Sequence, residues 1–191
     1  MTVGTSVSSL ANSTFSLVAV SYLYKIDIPN SVSSIGSKCF EGCYKLVSVN
    51  MSDSIKLIKE RTFSGCINLR QIEIPEKVEV IQGTAFANCS SLTELQLPDA
   101  LESIGQYAFS NCTRLSNVVT GSNIQVIGEA AFINCSKLSS ISLPETIYNI
   151  GADAFRNTAL TSITLVGKST DEATLLLSAA GLPASCEVII R

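Results

Sequence analysis

The feature that most constrains this chain is a spacing. Phenylalanine recurs every 23 residues, at Phe40, Phe63, Phe86, Phe109, Phe132 and Phe155. Six of the seven phenylalanines obey it, so any fold must first accommodate an internal repeat. Other positions keep the same step. Cys43, Cys66, Cys89, Cys112 and Cys135 follow the aromatic by three, and Leu46, Leu69, Leu92, Leu115 and Leu138 by six. Ile35, Ile58, Ile81, Ile104, Ile127 and Ile150 precede it by five, and Val32, Ile55, Val78, Leu101, Ile124 and Ile147 by eight. The unit reads I-x-I-P-x-x-V-x-x-I-G-x-x-A-F-x-N-C-x-x-L-x-x. It is complete over 26–48, 49–71, 72–94, 95–117 and 118–140. A sixth copy, 141–162, is one residue short, with Thr158-Ala159-Leu160 in place of Cys-x-x-Leu.

Such a unit cannot shield its apolar residues alone, but stacked copies shield one another. The pairs Ile72-x-Ile74, Leu95-x-Leu97 and Ile141-x-Leu143 alternate like strands. Pro29, Pro75, Pro98 and Pro144 follow such pairs and end the pairing, because proline has no backbone donor. Gly36, Gly105, Gly128 and Gly151 then open a turn, and the next x-x-Ala-Phe suits a single helical turn. That turn ends at Gly42, Gly65, Asn88, Asn111, Asn134 and Asn157. Only Gly and Asn occupy this position, and they are the residues that tolerate a left-handed backbone cheaply. The expected fold is a right-handed α/β-type solenoid of about six to seven turns, with short parallel strands roughly 4.8 Å apart and single helical turns. Equivalent Phe, Leu and Ile side chains form internal columns.

Residues 1–25 read as a degenerate capping turn, with Leu23 and Val20 placed 23 before Leu46 and Cys43 and Leu17 standing where Phe is expected. Residues 26–165 hold the repeats. Residues 166–191 read as a C-terminal cap. It has a helix over 171–180 with Thr170 as N-cap, a stop at Gly181, and a closing strand at 188–190 that starts 25 residues after Ile163.

Composition narrows the chemistry. The chain has no His, so neither an ordinary His-dependent nucleophile nor a His metal ligand is available. No catalytic, cofactor or metal site is read, and catalysis is not expected. A net charge of −3 argues against nucleic acid and against an anionic membrane. The longest apolar stretch, Phe15 to Tyr24, is broken by Ser16 and Ser21 and falls short of the roughly 20 residues that a span needs. The opening MTVGTSVSSLANST has neither the basic nor the apolar region of a signal peptide. Five of the seven cysteines share one repeat position, unlike the tight spacing of zinc ligands. They read as small, reduced core residues, although neighbouring rungs could in principle be bridged. Asn12, Asn50, Asn88, Asn111 and Asn134 open N-x-S/T sequons. Three of these coincide with the left-handed position, so the turn already explains them.

The x positions of L-x-x-I-x-I form an exposed strand face, and repeat solenoids bind along such faces. The face is mostly small and uncharged. Its candidate partner-binding residues are Arg70, Gln71, Glu73, Thr93, Glu94, Gln96 and Asn117, with Arg70 and Glu94 foremost.

These repeats resemble the BspA-like leucine-rich repeats, a subclass found in surface proteins of some bacteria and of parasitic protists. The likeness spans about residues 26–165 and rests on I-x-I-P, V-x-x-I-G-x-x-A-F-x-N-C and C-x-x-L-x-x-I, as in Leu92-Thr93-Glu94-Leu95-Gln96-Leu97-Pro98. It departs from the common leucine-rich pattern, whose Asn/Cys position falls here on Lys77, so the usual asparagine ladder is not expected. The resemblance implies a cell-surface or secreted protein that adheres to host or neighbouring proteins; a monomer is expected, with a host or extracellular-matrix protein as partner. The alternative is an intracellular leucine-rich-repeat scaffold or a segment of a longer array, which the reduced thiols and missing signal favour. In that case the location is cytoplasmic.

Overall fold

A computed structural model of the protein describes residues 1–16 and 22–191. Its strands are short and parallel, and nearly every one pairs with its own equivalent one coil away. Ile26 faces Val49, Leu95 faces Val118 and Ile104 faces Ile127. Each of these registers is one repeat, so the 23-residue period of the sequence is the circumference of one coil. The molecule is a solenoid of about eight turns. The count agrees roughly with the six to seven turns expected from the sequence.

Most coils carry two strand segments where the sequence suggested one. The first is the I-x-I segment, as in Lys25–Asp27, Ser48–Asn50, Glu94–Gln96 and Asn117–Val119. The second is the dipeptide ending in the conserved-spacing isoleucine, as in Leu57–Ile58, Val80–Ile81, Ser103–Ile104, Val126–Ile127 and Asn149–Ile150, which form one five-stranded sheet. The following glycine does not open a turn by adopting a left-handed conformation. It lets two backbones meet: a Cβ on Gly128 would lie 2.6 Å from Gln106 N, and one on Gly151 would lie 2.4 Å from Glu129 N.

The core is a set of columns. All seven phenylalanines stack in one file, with ring centroids 5.2 to 5.8 Å apart and planes nearly parallel. The top member is Phe15, which lies on Phe40 at 5.2 Å. It therefore takes the place assigned to Leu17. The first coil is two residues longer than the regular ones, since Leu10 pairs with Ile35 at a step of 25, which displaces its aromatic by two. Leu17 and Val20 lie outside the described residues, whereas Leu23 is buried as a core rung.

A file of cysteines runs beside the rings. Each thiol donates to the carbonyl of the phenylalanine one coil back, as in Cys66 Sγ to Phe40 O at 3.2 Å and Cys135 Sγ to Phe109 O at 3.2 Å. Burial pushes the thiols of Cys39 and Cys43 up to about 11 and that of Cys135 up to about 12. These are inert core thiols.

The turn around each phenylalanine differs from a turn of α-helix. In 84–89 the backbone N–H groups alternate. Ala85, Ala87 and Cys89 bond three residues back, while Thr84, Phe86 and Asn88 donate to Gln106, Ala108 and Ser110 of the next coil at 2.8 to 2.9 Å. The segment is thus a third inter-coil ladder, and it leaves no donor unpaired. The alternation requires two left-handed residues per coil. One is the Gly/Asn position, with φ of 62° at Asn88. The other carries Lys38, Arg61, Thr84, Tyr107, Ala130 or Asp153, with φ between 50° and 59°. For such side chains this conformation costs roughly 1–2 kcal/mol each, offset by the bond into the neighbouring coil. The asparagines also join side chain to side chain: Asn111 Nδ2 donates to Asn88 Oδ1 at 3.0 Å, Asn134 to Asn111 at 2.8 Å, and Asn157 to Asn134 at 2.8 Å. An asparagine ladder therefore exists, but at this turn and not at the position the common repeat uses.

At the C-terminal end, the helix Thr170–Leu177 is capped by Ser169, one residue before the threonine expected to do so. Glu172 reaches back to Ser169 N at 2.8 Å to complete a capping box. The residues after the helix replace the last phenylalanine turn, since Asp153 N and Phe155 N donate to Ala179 and Ala180. The strand Glu187–Ile190 then pairs in parallel with Ser162–Leu165, Val188 opposite Ile163.

Candidate functional site

The strand face owes its chemistry to the period of two along each I-x-I segment. Inner residues such as Leu95 and Val118 are buried, and their neighbours Glu94, Gln96 and Asn117 are exposed. Among the described residues the face is interrupted twice: no ladder joins Asn117–Val119 to Ser140–Leu143, and one coil forms no strand. Residues 71–73 form no strand, and among the described residues no backbone hydrogen bond joins 71–74 to the coils on either side. The face therefore opens between Ser48–Asn50 and Glu94–Gln96 into a cleft of about 500 Å³.

Gln71, Glu73, Glu94 and Gln96 line this cleft, together with Asn50, Asp53 and Glu76. Four of the seven candidate residues thus meet at one place. Gln71 Nε2 donates to Glu94 Oε1 at 2.9 Å and ties the two coils by side chains where the backbone ladder is missing. Asn117 is a wall away, in register with Glu94 on the next strand. Arg70 and Thr93 face a second recess of about 410 Å³, shared with Gln71, Ser91 and Arg114. The sequence reading treated the strand face as one surface. The structure divides it into an acidic cleft and a cationic recess separated by Gln71. Arg114 was missed because it belongs to the position just before the leucine, outside the alternating strand pattern. Among the described residues no group of three or more His, Cys, Asp or Glu side chains is placed to hold a metal ion, and no helix is long and apolar enough to cross a membrane.

The repeat itself decides the family. The BspA type leucine rich repeat region matches residues 1–90 and 56–172, in six copies. The chain belongs to the BspA-type leucine-rich-repeat family. No curated protein matches it. Among solved structures, a leucine rich cell surface protein from Faecalibacterium prausnitzii is similar over 83% of this chain and 43% of its own, at 29% identity and a TM-score of 0.72. A leucine-rich repeat protein from Bacteroides ovatus shares the fold over 95% of this chain and 64% of its own, at 22% identity and a TM-score of 0.64. The T. pallidum leucine rich repeat protein aligns over 87% of this chain and 73% of its own, at 25% identity and a TM-score of 0.52. This BspA-type chain thus spans less than half the length of the Faecalibacterium protein.

Proposed function

We propose that this BspA-type chain is a non-enzymatic protein-binding module of a cell-surface or secreted adhesion protein. It acts as a monomer and engages host or extracellular-matrix proteins through the opened strand face. The observation that carries this reading is the cleft at 71–73. There the strand face becomes concave, and the cleft gathers Gln71, Glu73, Glu94 and Gln96 around backbone groups free of ladder bonds. Concavity with convergent polar groups is what a flat sheet of serines lacks. The cell-surface description of the Faecalibacterium protein favours display outside the cell over an intracellular scaffold. In the same reading, residues 1–25 and 166–191 shield the two ends of the array formed by 26–165.

The test has two parts. Antibody labelling of intact cells producing the full-length gene product should detect it at the surface. Binding to immobilised extracellular-matrix proteins should weaken about tenfold or more in Glu94→Ala, Glu73→Ala and Arg70→Ala, as for polar hot-spot residues. Unchanged affinity in all three would remove the site from this face.

A further inference from the structure

The cationic recess is part of a longer feature. In coils two to six the segment from the cysteine to the residue after the leucine comprises 43–47, 66–70, 89–93, 112–116 and 135–139. These segments contain Lys45, Arg70, Arg114 and Lys137 and not one Asp or Glu. Stacking places them as a ridge along one edge of the strand face, roughly 20 Å long at about 4.8 Å per coil. The ridge carries four positive charges on a chain whose total is −3, so the rest carries −7.

Several other cations are already paired: Lys25 with Asp27, Lys56 with Glu79, Arg61 with Glu41 and Arg156 with Asp153. Among the described residues none of the four ridge cations has a carboxylate partner, and only Lys45 has any charge contact, its ammonium lying 5.7 Å from the Tyr44 ring centre. At the middle of the ridge Arg70 and Arg114 line the 410 Å³ recess together with Gln71, Ser91 and Thr93. Glu94 lines the acidic cleft on the far side of Gln71. At the N-terminal end stand three exposed rings, Tyr22, Tyr24 and Tyr44.

We infer that this ridge binds a linear polysaccharide bearing sulfate or phosphate esters, with one oxyanion held between Arg70 and Arg114. Two guanidiniums and the Ser91 hydroxyl form a donor set for a tetrahedral oxyanion, while the Thr93 hydroxyl donates to Arg70 O at 3.4 Å. The recess has no apolar lining residue, which suits a hydrated sugar better than a protein side chain. Ser116, Ser136 and Ser139 add exposed hydroxyls along the ridge, and the tyrosine faces offer flat surfaces for the C–H side of a sugar ring. Nucleic acid fits less well, because its charge of about one per 1.7 Å would meet the −7 of the remaining surface. This inference goes beyond the strand-face reading and does not depend on it.

The test measures binding of the whole chain to chondroitin sulfate and to a phosphorylated linear mannan by titration calorimetry. Hyaluronan, poly-glutamate and single-stranded DNA serve as comparisons. At least one ester-bearing polymer should bind well above the comparisons, and which one does so identifies the source of the oxyanion. Arg70→Gln and Arg114→Gln should each weaken it about tenfold and together about a hundredfold. Lys77→Gln, the same charge change away from the ridge, should leave it unchanged. The inference is overturned if neither polymer binds, if hyaluronan, poly-glutamate or DNA binds as tightly, if the double variant keeps its affinity, or if Lys77→Gln weakens binding equally.

Discussion

The column of rings makes Phe86→Ala the sharpest test of the architecture. Phe86 is 0% exposed and is sandwiched between Phe63 and Phe109, each at 5.2 Å. Truncating a buried phenylalanine costs about 3–5 kcal/mol, and the figure depends on how far the site can collapse. Here collapse is obstructed. The rungs above and below are pinned by backbone bonds of 2.8 Å, Phe63 N to Ala85 O and Phe86 N to Ala108 O. Two ring contacts are lost together, each contributing about 0.5–1.5 kcal/mol beyond area. The loss should therefore reach the upper end, about 5 kcal/mol, a large part of a typical domain's stability. Phe15, half-buried and, among the described residues, stacked on one side only, should lose about half as much in Phe15→Ala. Urea denaturation followed by tyrosine emission, with five tyrosines and no tryptophan to obscure them, reads both values. Equal losses at the two positions, or a loss under about 1 kcal/mol at Phe86, would refute the stacked-column account.

The asparagine ladder separates two effects at one residue. Asn111→Gly keeps the left-handed backbone and loses the side-chain bonds, at about 1 kcal/mol, whereas Asn111→Ala adds roughly 1–2 kcal/mol of strain. Identical midpoints for the two would show that φ of 59° at Asn111 is not a constraint. Gly128→Ala should destabilise by about 1–3 kcal/mol, because its Cβ meets the Gln106 backbone. Gly4→Ala, with open space around it, should be neutral, and thermal melts of the pair decide. The buried thiols predict an alkaline weakness. Cys135 rises from an ordinary 9.0 to about 12 in the folded chain, so the unfolded chain releases its proton first. Stability should hold below about pH 9 and fall as pH rises toward 12. At pH 8 a thiol reagent should label the partly exposed Cys186 ahead of the others, and all seven only after denaturation. Rapid labelling of several thiols in the native chain would contradict their burial.

What the sequence made legible was whatever repeats with side-chain identity. Phe, Cys, Leu and Ile at a fixed step specified the coil, its core and its parallel stacking, because burial tolerates few substitutions there. The second strand was not legible, since two residues are too few to show alternation. Nor was the other left-handed position, where Lys38, Thr84, Tyr107 and Asp153 share no chemistry. The neighbouring coil's carbonyl imposes that backbone, and nothing local announces it. Phe15 was overlooked because two extra residues break the 23-residue step. For the candidate site, alternation alone identified the residues that face outward. It could not show that the ladder parts at 71–74, because Gln71-Ile72-Glu73 reads like any other strand. The cationic ridge was also recoverable from columns of charge, but only by aligning positions that lie outside the strand.

The core repeats at a strict interval, whereas the side chains on the ridge do not. Excising residues 72–94 would bring Phe63 onto Phe109 and Cys66 beside Cys112 with every interior file still matched. The same cut would bring Arg70 and Arg114 onto adjacent rungs. Such a protein can lengthen or shorten by whole rungs without rewriting its interior, and each change resets the ruler by which its outer charges are spaced.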